Sequence, residues 1–193
     1  MADRTFLLIY GIDGSGPGHW QRWLREQLEA AGETVRFPEF PDPAAPKLDD
    51  WLEVLEAELK SLAGQELVVM PHSLAVMMWL HYSARVTEPA VIADRVLLVA
   101  PTSPFFWEPR AEGFLPMSLD GVDVKKVARS TRMVSSDNDP YCPPDDRKEL
   151  AKTLDVECDV LPGAEHINFP AGYGDWPSVL EWALHDATPL KPR

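Results

Sequence analysis

Three residues far apart in the chain, Ser73, Asp139 and His166, are of the types that together perform nucleophilic acyl transfer. A serine hydroxyl is a weak nucleophile until a base takes its proton in the transition state. His166 is the candidate base. A carboxylate must then hold the imidazole in one tautomer and stabilise the imidazolium that forms. Asp139 is the candidate, and Asp137 competes with it from two positions upstream. An oxyanion hole needs backbone N–H groups aimed where charge develops. Leu74, next after the serine at the start of a helical segment, can give one. Ile12, next after Gly11, can give the other.

For these groups to meet, their elements must end at one edge. Residues 67–70 form a short apolar run of the kind that makes a buried strand, and it stops at Pro71-His72-Ser73. An apolar, helix-length segment follows. A serine at a strand-to-helix turn has its hydroxyl lifted above the end of the sheet. The pentapeptide Pro71-His72-Ser73-Leu74-Ala75 nearly matches G-x-S-x-G, with both glycines missing. Taken alone, Ser73 reads equally well as a helix N-cap.

The remaining elements alternate. Strands are expected at 5–10, 34–37, 67–70, 95–100, 131–135 and 156–161. Helices are expected at 19–31, 48–63, after Ser73, at 120–128, 143–154 and 176–185. This alternation predicts a three-layer α/β/α sandwich around a mostly parallel six-stranded sheet, with right-handed crossovers. In such sheets chemistry gathers after the carboxyl ends of strands. Four loops meet that condition: the glycine-rich loop Gly11-Ile-Asp-Gly-Ser-Gly-Pro-Gly18, the Ser73 turn, the stretch Ser135 to Pro144, and Pro162-Gly-Ala-Glu-His-Ile-Asn168.

The chain's 193 residues and 45% hydrophobic content suit one domain, expected over residues 1–187, with a frayed tail at 188–193. Its 31 acidic against 18 basic side chains give a net charge of -13, which argues against nucleic acid and anionic membranes as partners. No apolar run approaches the roughly 18 residues of a membrane span, and the first one, 5–10, is too short for a secretory leader. Two cysteines, Cys142 and Cys158, make no disulfide framework, so a reduced, cytoplasmic protein is expected. Cys142 lacks a helix start or basic neighbour, which favours packing over reactivity.

Beside these residues the chain resembles the small α/β-hydrolases related to retinoblastoma-binding protein nine. The resemblance rests on Gly14-Ser-Gly-Pro-Gly-His-Trp20, the His72-Ser73-Leu74 turn, Asp137-Asn-Asp-Pro-Tyr-Cys-Pro143 and Gly163-Ala-Glu-His166, and it spans nearly the whole chain. It implies an α/β-hydrolase without a large lid. It also implies a Ser73-Asp139-His166 triad, in the order nucleophile, acid, base. The spacing from Asp139 to Pro143 fits that family better than Asp137 does. The expected substrate is a small ester, amide or thioester, with no cofactor and no metal. Pro71 and Ala75 depart from the pattern where a small residue and a glycine are usual.

Other readings are weaker. Gly11-x-x-Gly14-x-Gly16 is not a dinucleotide fingerprint, although Glu39 imitates the ribose acid. The acidic run Asp137, Asp139, Asp145, Asp146 lacks the turn glycine and closing acid of a calcium loop. A hydrolase-fold protein without activity, serving to bind a protein partner, is the rival functional class. His72 is expected to be structural, and His19 to order the glycine loop. The aromatic stretch after the fourth strand, with Phe105, Phe106, Trp107 and Phe114 and the apolar Leu115 and Met117 beside them, is expected to wall the substrate pocket.

Overall fold

A computed structural model describes residues 4–193. Twelve elements follow in order: β1 (Arg4–Ile9), α1 (Trp20–Ala30), β2 (Thr34–Arg36), α2 (Leu48–Ser61), β3 (Glu66–Pro71), α3 (Leu74–Arg85), β4 (Ala93–Val99), α4 (Val124–Val127), β5 (Ala128–Ser136), α5 (Pro144–Leu154), β6 (Glu157–Leu161) and α6 (Pro177–His185). The strands form one sheet in the order β2-β1-β3-β4-β5-β6, and every pair is parallel.

Continuous apolar strands arise because both sheet faces are covered. Alternate residues of β1 enter different cores. Leu7 and Ile9 join α2, α3 and α5; Phe6 and Leu8 join α1 and α6. The middle strands repeat the pattern, with Val69, Val96 and Leu98 on the first face and Val68, Met70, Leu97 and Val99 on the second. The result is the three-layer sandwich. The helix α3 is buried on nearly every side, from Leu74 through Leu80, because it lies at the centre of its layer. Each large apolar side chain sequestered there contributes about 1.5–3 kcal/mol.

The order of strands creates the site. From β1 the chain moves outward to β2; from β3 it moves the other way to β4. The crevice beyond the carboxyl ends of β1 and β3 is therefore a topological switch point, where no connection covers the edge. Gly11 and Ser73 both lie there.

Pro71 sits inside the sheet, not beside it: it ends β3 and pairs with Ile9 of β1. Lacking an N–H, it cannot donate to the ladder. The β3–β4 register accordingly stops at Val69↔Val96 and resumes at an isolated bridge, His72↔Val99, with Ser73 N–H donating to Val99 C=O at 2.9 Å. The missing donor thus falls in a gap of the ladder.

Two expectations need correction. The helix foreseen at 120–128 is a single turn, capped by the Asp123 side chain at its start and ended by extended backbone at Ala128. The tail at 188–193 is tied down: Leu190 is buried, its N–H donates to Asp159 at 2.9 Å, and Lys191 C=O accepts from the Trp176 indole at 2.7 Å. Asp159 is also gripped by Arg132, so the tail closes a charge-assisted network that composition could not announce.

Candidate active site

Ser73 has φ 58° and ψ -125°, a conformation few side chains adopt. It occupies the N-cap position of α3 but makes no capping hydrogen bond. Its hydroxyl instead lies 2.7 Å from Nε2 of His166. The Nδ1 of that ring is 2.9 and 3.0 Å from the two carboxylate oxygens of Asp139. All three residues are at least nine-tenths buried. Bonded to a carboxylate, Nδ1 carries the proton, which leaves Nε2 free to accept from the serine.

The backbone that carries the imidazole is also unusual. Glu165 and Ile167, on either side of His166, have φ 47° and 48°. For a β-branched residue such as Ile167 this is a strained state, and it persists because the neighbours fix it. Three residues before Asp139 do the fixing. Ser136 Oγ accepts from Ala164 N–H at 3.0 Å, Asp137 from Gly163 N–H at 2.7 Å, and Asn138 from Glu165 N–H at 2.8 Å. The competing carboxylate Asp137 is thus a clamp on the histidine loop and does not touch the ring. The run of short polar acceptors, Ser136-Asp-Asn-Asp139, was the sequence signal for this stitching.

The glycine loop is held in the same way. The buried Gln21 donates to Ile9 C=O at 2.9 Å and accepts from Ser15 Oγ at 2.6 Å, which fastens the loop to the end of β1. Nothing in the helical periodicity of 19–31 marks Gln21 as special. Gly11 then passes so close to the nucleophile that a Cβ placed on it would sit 2.8 Å from Ser73 Cβ and 3.1 Å from its Oγ. Ile12 and Leu74 both face the resulting cavity, and among the described residues neither N–H is taken by another acceptor.

That cavity has a volume of about 340 Å³. Of the four aromatic residues expected to wall it, Phe106 alone does. Phe114 is fully buried in the core, edge-on to Trp51 at 5.5 Å. Phe105 and Trp107 are 69% and 71% exposed and lie off the cavity lining. The stretch forms a turn, with Phe106 N–H donating to Ser103 C=O, and this turns Phe106 inward while its two neighbours face solvent. Leu115, from the same stretch, also lines the cavity; Tyr141 and Phe169 join it there and were not singled out from sequence.

A second histidine, His72, lies beside the triad without joining its hydrogen-bonded line. His72 donates Nε2–H to the backbone carbonyl of His166 at 3.1 Å. Burial, and then the neighbouring His19 and His166, hold its pKa well below the usual imidazole value, so it is neutral at pH 7. Burial pushes the Cys142 thiol up to about 12, which makes it inert beside the acid loop.

Comparison with known proteins shows the family and the fold. A family model described as Serine hydrolase matches residues 6–184. The chain belongs to the serine hydrolase family. The YdeN protein of Bacillus subtilis (strain 168) is 22% identical over 178 residues, which is 92% of this chain and 93% of that one. The rat protein named Serine hydrolase RBBP9 is 26% identical over 164 residues, 81% of this chain and 84% of that one. The crystal structure of the B. subtilis ydeN gene product superposes with a TM-score of 0.80 at 21% identity, covering 94% of this hydrolase and 96% of its own chain. A methylesterase from Arabidopsis shares the fold at a TM-score of 0.67 and 12% identity, covering 94% and 98%. Among the described residues no helix is long and apolar enough to cross a membrane.

Proposed function

We propose that this hydrolase cleaves small carboxylic esters, amides or thioesters through an acyl-enzyme on Ser73, with His166 as general base and acid and Asp139 as its orienting carboxylate. The supporting observation is the continuous hydrogen-bonded line from Ser73 Oγ through the His166 ring to Asp139, starting at a residue with positive φ. In the forward step Oγ attacks the carbonyl carbon and its proton passes to Nε2. The tetrahedral oxyanion is met by the N–H groups of Ile12 and Leu74. Collapse breaks the bond to the alcohol, amine or thiol, which leaves with the proton from Nε2. Water, deprotonated by the same nitrogen, then releases the acid.

A fluorophosphonate probe tests this. Labelling of the wild-type protein should vanish in Ser73→Ala and fall steeply in His166→Ala, with p-nitrophenyl acetate hydrolysis lost in parallel. Absence of labelling in folded wild-type protein would refute the assignment and favour a binding role for the fold.

A further inference from the structure

The cavity contains a polar group that the proposed chemistry does not use. His19 closes the glycine loop, lines the cavity and is 95% buried by virtue of its 5% exposure. Its Nδ1 accepts from the backbone N–H of Gln21 at 3.2 Å, capping α1. An accepting Nδ1 in a neutral ring places the proton on Nε2. Burial, with His166 and Arg22 adding to it, lowers the pKa of His19 to about 4, so the ring is neutral at pH 7. Among the described residues the Nε2–H has no hydrogen-bond partner.

This donor sits close to the reacting centre. The His72 ring lies 5.3 Å from the His166 ring between centroids, and the His19 ring lies 5.1 Å from His72. Tyr141 lies 4.5 Å from the same His166 ring, with Phe106 5.4 Å from Tyr141, and both line the cavity. Next to His19, the Phe169 ring packs so closely on Gly18 that a Cβ there would lie 2.6 Å from it, and Phe169 also lines the cavity. A donor in the wall of a buried site is costly to leave unpaired once substrate displaces water.

We propose that His19 binds the substrate: its Nε2–H donates to an acceptor oxygen other than the scissile carbonyl, so that the hydrolase favours esters or amides carrying such an oxygen over alkyl analogues of the same shape. The proposal rests on the reading of Ser73 as the nucleophile. It makes His19 a specificity-determining residue, distinct from the base His166. A site that hydrogen-bonds a substrate oxygen rejects the analogue lacking it far better than an apolar pocket discriminates by size.

Two matched ester pairs test this. In p-nitrophenyl N-acetylglycinate and p-nitrophenyl 4-methylpentanoate the acceptor is present or absent on the acyl side. In 2-methoxyethyl butanoate and butyl butanoate it is present or absent on the alcohol side. Wild type should prefer the acceptor-bearing member of one pair by about 5–10-fold in kcat/KM, the scale of one hydrogen bond. His19→Asn keeps a side-chain oxygen to cap α1 but is too short to present a donor where Nε2 does. It should erase the preference, read as the kcat/KM ratio within the pair, with the thermal midpoint near wild type. No preference in either pair, or a preference that survives in H19N, would overturn the proposal, as would equal losses on both members.

The same ratio should appear in Kd values measured by calorimetry on the Ser73→Ala protein, which needs no turnover. A wild type that hydrolyses nothing therefore refutes the catalytic reading, while the Kd ratio still decides the role of His19. Should H19N fail to fold, the Nε2–H proton resonance of His19 in the Ser73→Ala protein decides it: a shift on adding an acceptor-bearing ester but not its alkyl partner supports the contact, and no selective shift excludes it.

Discussion

Replacing Gly11 by alanine adds one methyl group where the glycine loop passes the nucleophile. The new Cβ would lie 2.8 Å from Ser73 Cβ, 3.1 Å from Ser73 Oγ and 3.1 Å from His72 C=O, against the 3.4 Å at which ordinary van der Waals contact begins. The loop must therefore retreat by about 0.6 Å or push Ser73 aside. Gly11 is not among the residues with positive φ, so alanine meets no backbone strain and the contact alone decides the outcome. Ile12 follows directly and its N–H moves with the loop. Losing one oxyanion donor costs about 10²–10³ in rate, and a misplacement of about 1 Å costs about 10². Gly11→Ala should therefore lower kcat/KM for p-nitrophenyl acetate by about 10²-fold and slow fluorophosphonate labelling to match. Stability should change by no more than about 1–2 kcal/mol, since overpacking is partly offset by the smaller entropy of the unfolded chain. Thermal unfolding checks that the variant is folded. A folded Gly11→Ala protein with kcat/KM within twofold of wild type would show that the Ile12 N–H does not serve the oxyanion.

Two further outcomes follow from the same geometry. Phe106→Ala should alter the preference among p-nitrophenyl esters of increasing chain length, whereas Trp107→Ala, 71% exposed and off the cavity, should leave the profile unchanged. Stability should fall as pH drops below about 6.5, because His19 and His72 are neutral when folded and readily protonated when unfolded. In that window the unfolded chain binds more protons, so stability rises with pH and is fully present above the unfolded imidazole value. For His19, folded at about 4 against 6.5, the loss amounts to about 2 kcal/mol at pH 5. Carboxylates also titrate there, so the measurement is the difference between wild-type and His19→Asn unfolding curves from pH 7 to 5; identical slopes would contradict the low pKa of His19.

Some of this protein was legible in the chain before any fold was known. Apolar runs such as 67–70 mark strands because a strand covered on both faces must be apolar at every position, and that is a local property. Glycine, proline and short polar residues mark the loops between them, and the rule that chemistry follows strands then points to Ser73, to the loop carrying Asp137 and Asp139, and to His166. Local pattern could not tell an N-cap serine from one bonded to an imidazole 93 positions away, since both begin a helix. Nor could it separate Asp139 from Asp137, because two carboxylates on one loop differ only in what the loop after β6 brings to each.

The aromatic stretch shows the limit most clearly. Phe105, Phe106, Trp107 and Phe114 are alike as amino acids, yet one lines the cavity, one fills the core and two face water. Periodicity gives no side to a residue in an irregular loop; only the turn at Ser103 and the neighbouring Tyr141 do. Pro71 is the converse case. As a proline in a central strand it argues against a strand, and it is accommodated because the β3–β4 ladder has a gap where its donor is missing. The chain's order of residue types determined the elements and the kinds of chemistry they could carry. The strand order β2-β1-β3-β4 decided that Gly11 and Ser73 share one uncovered edge, and contacts between distant loops decided which acid meets the histidine.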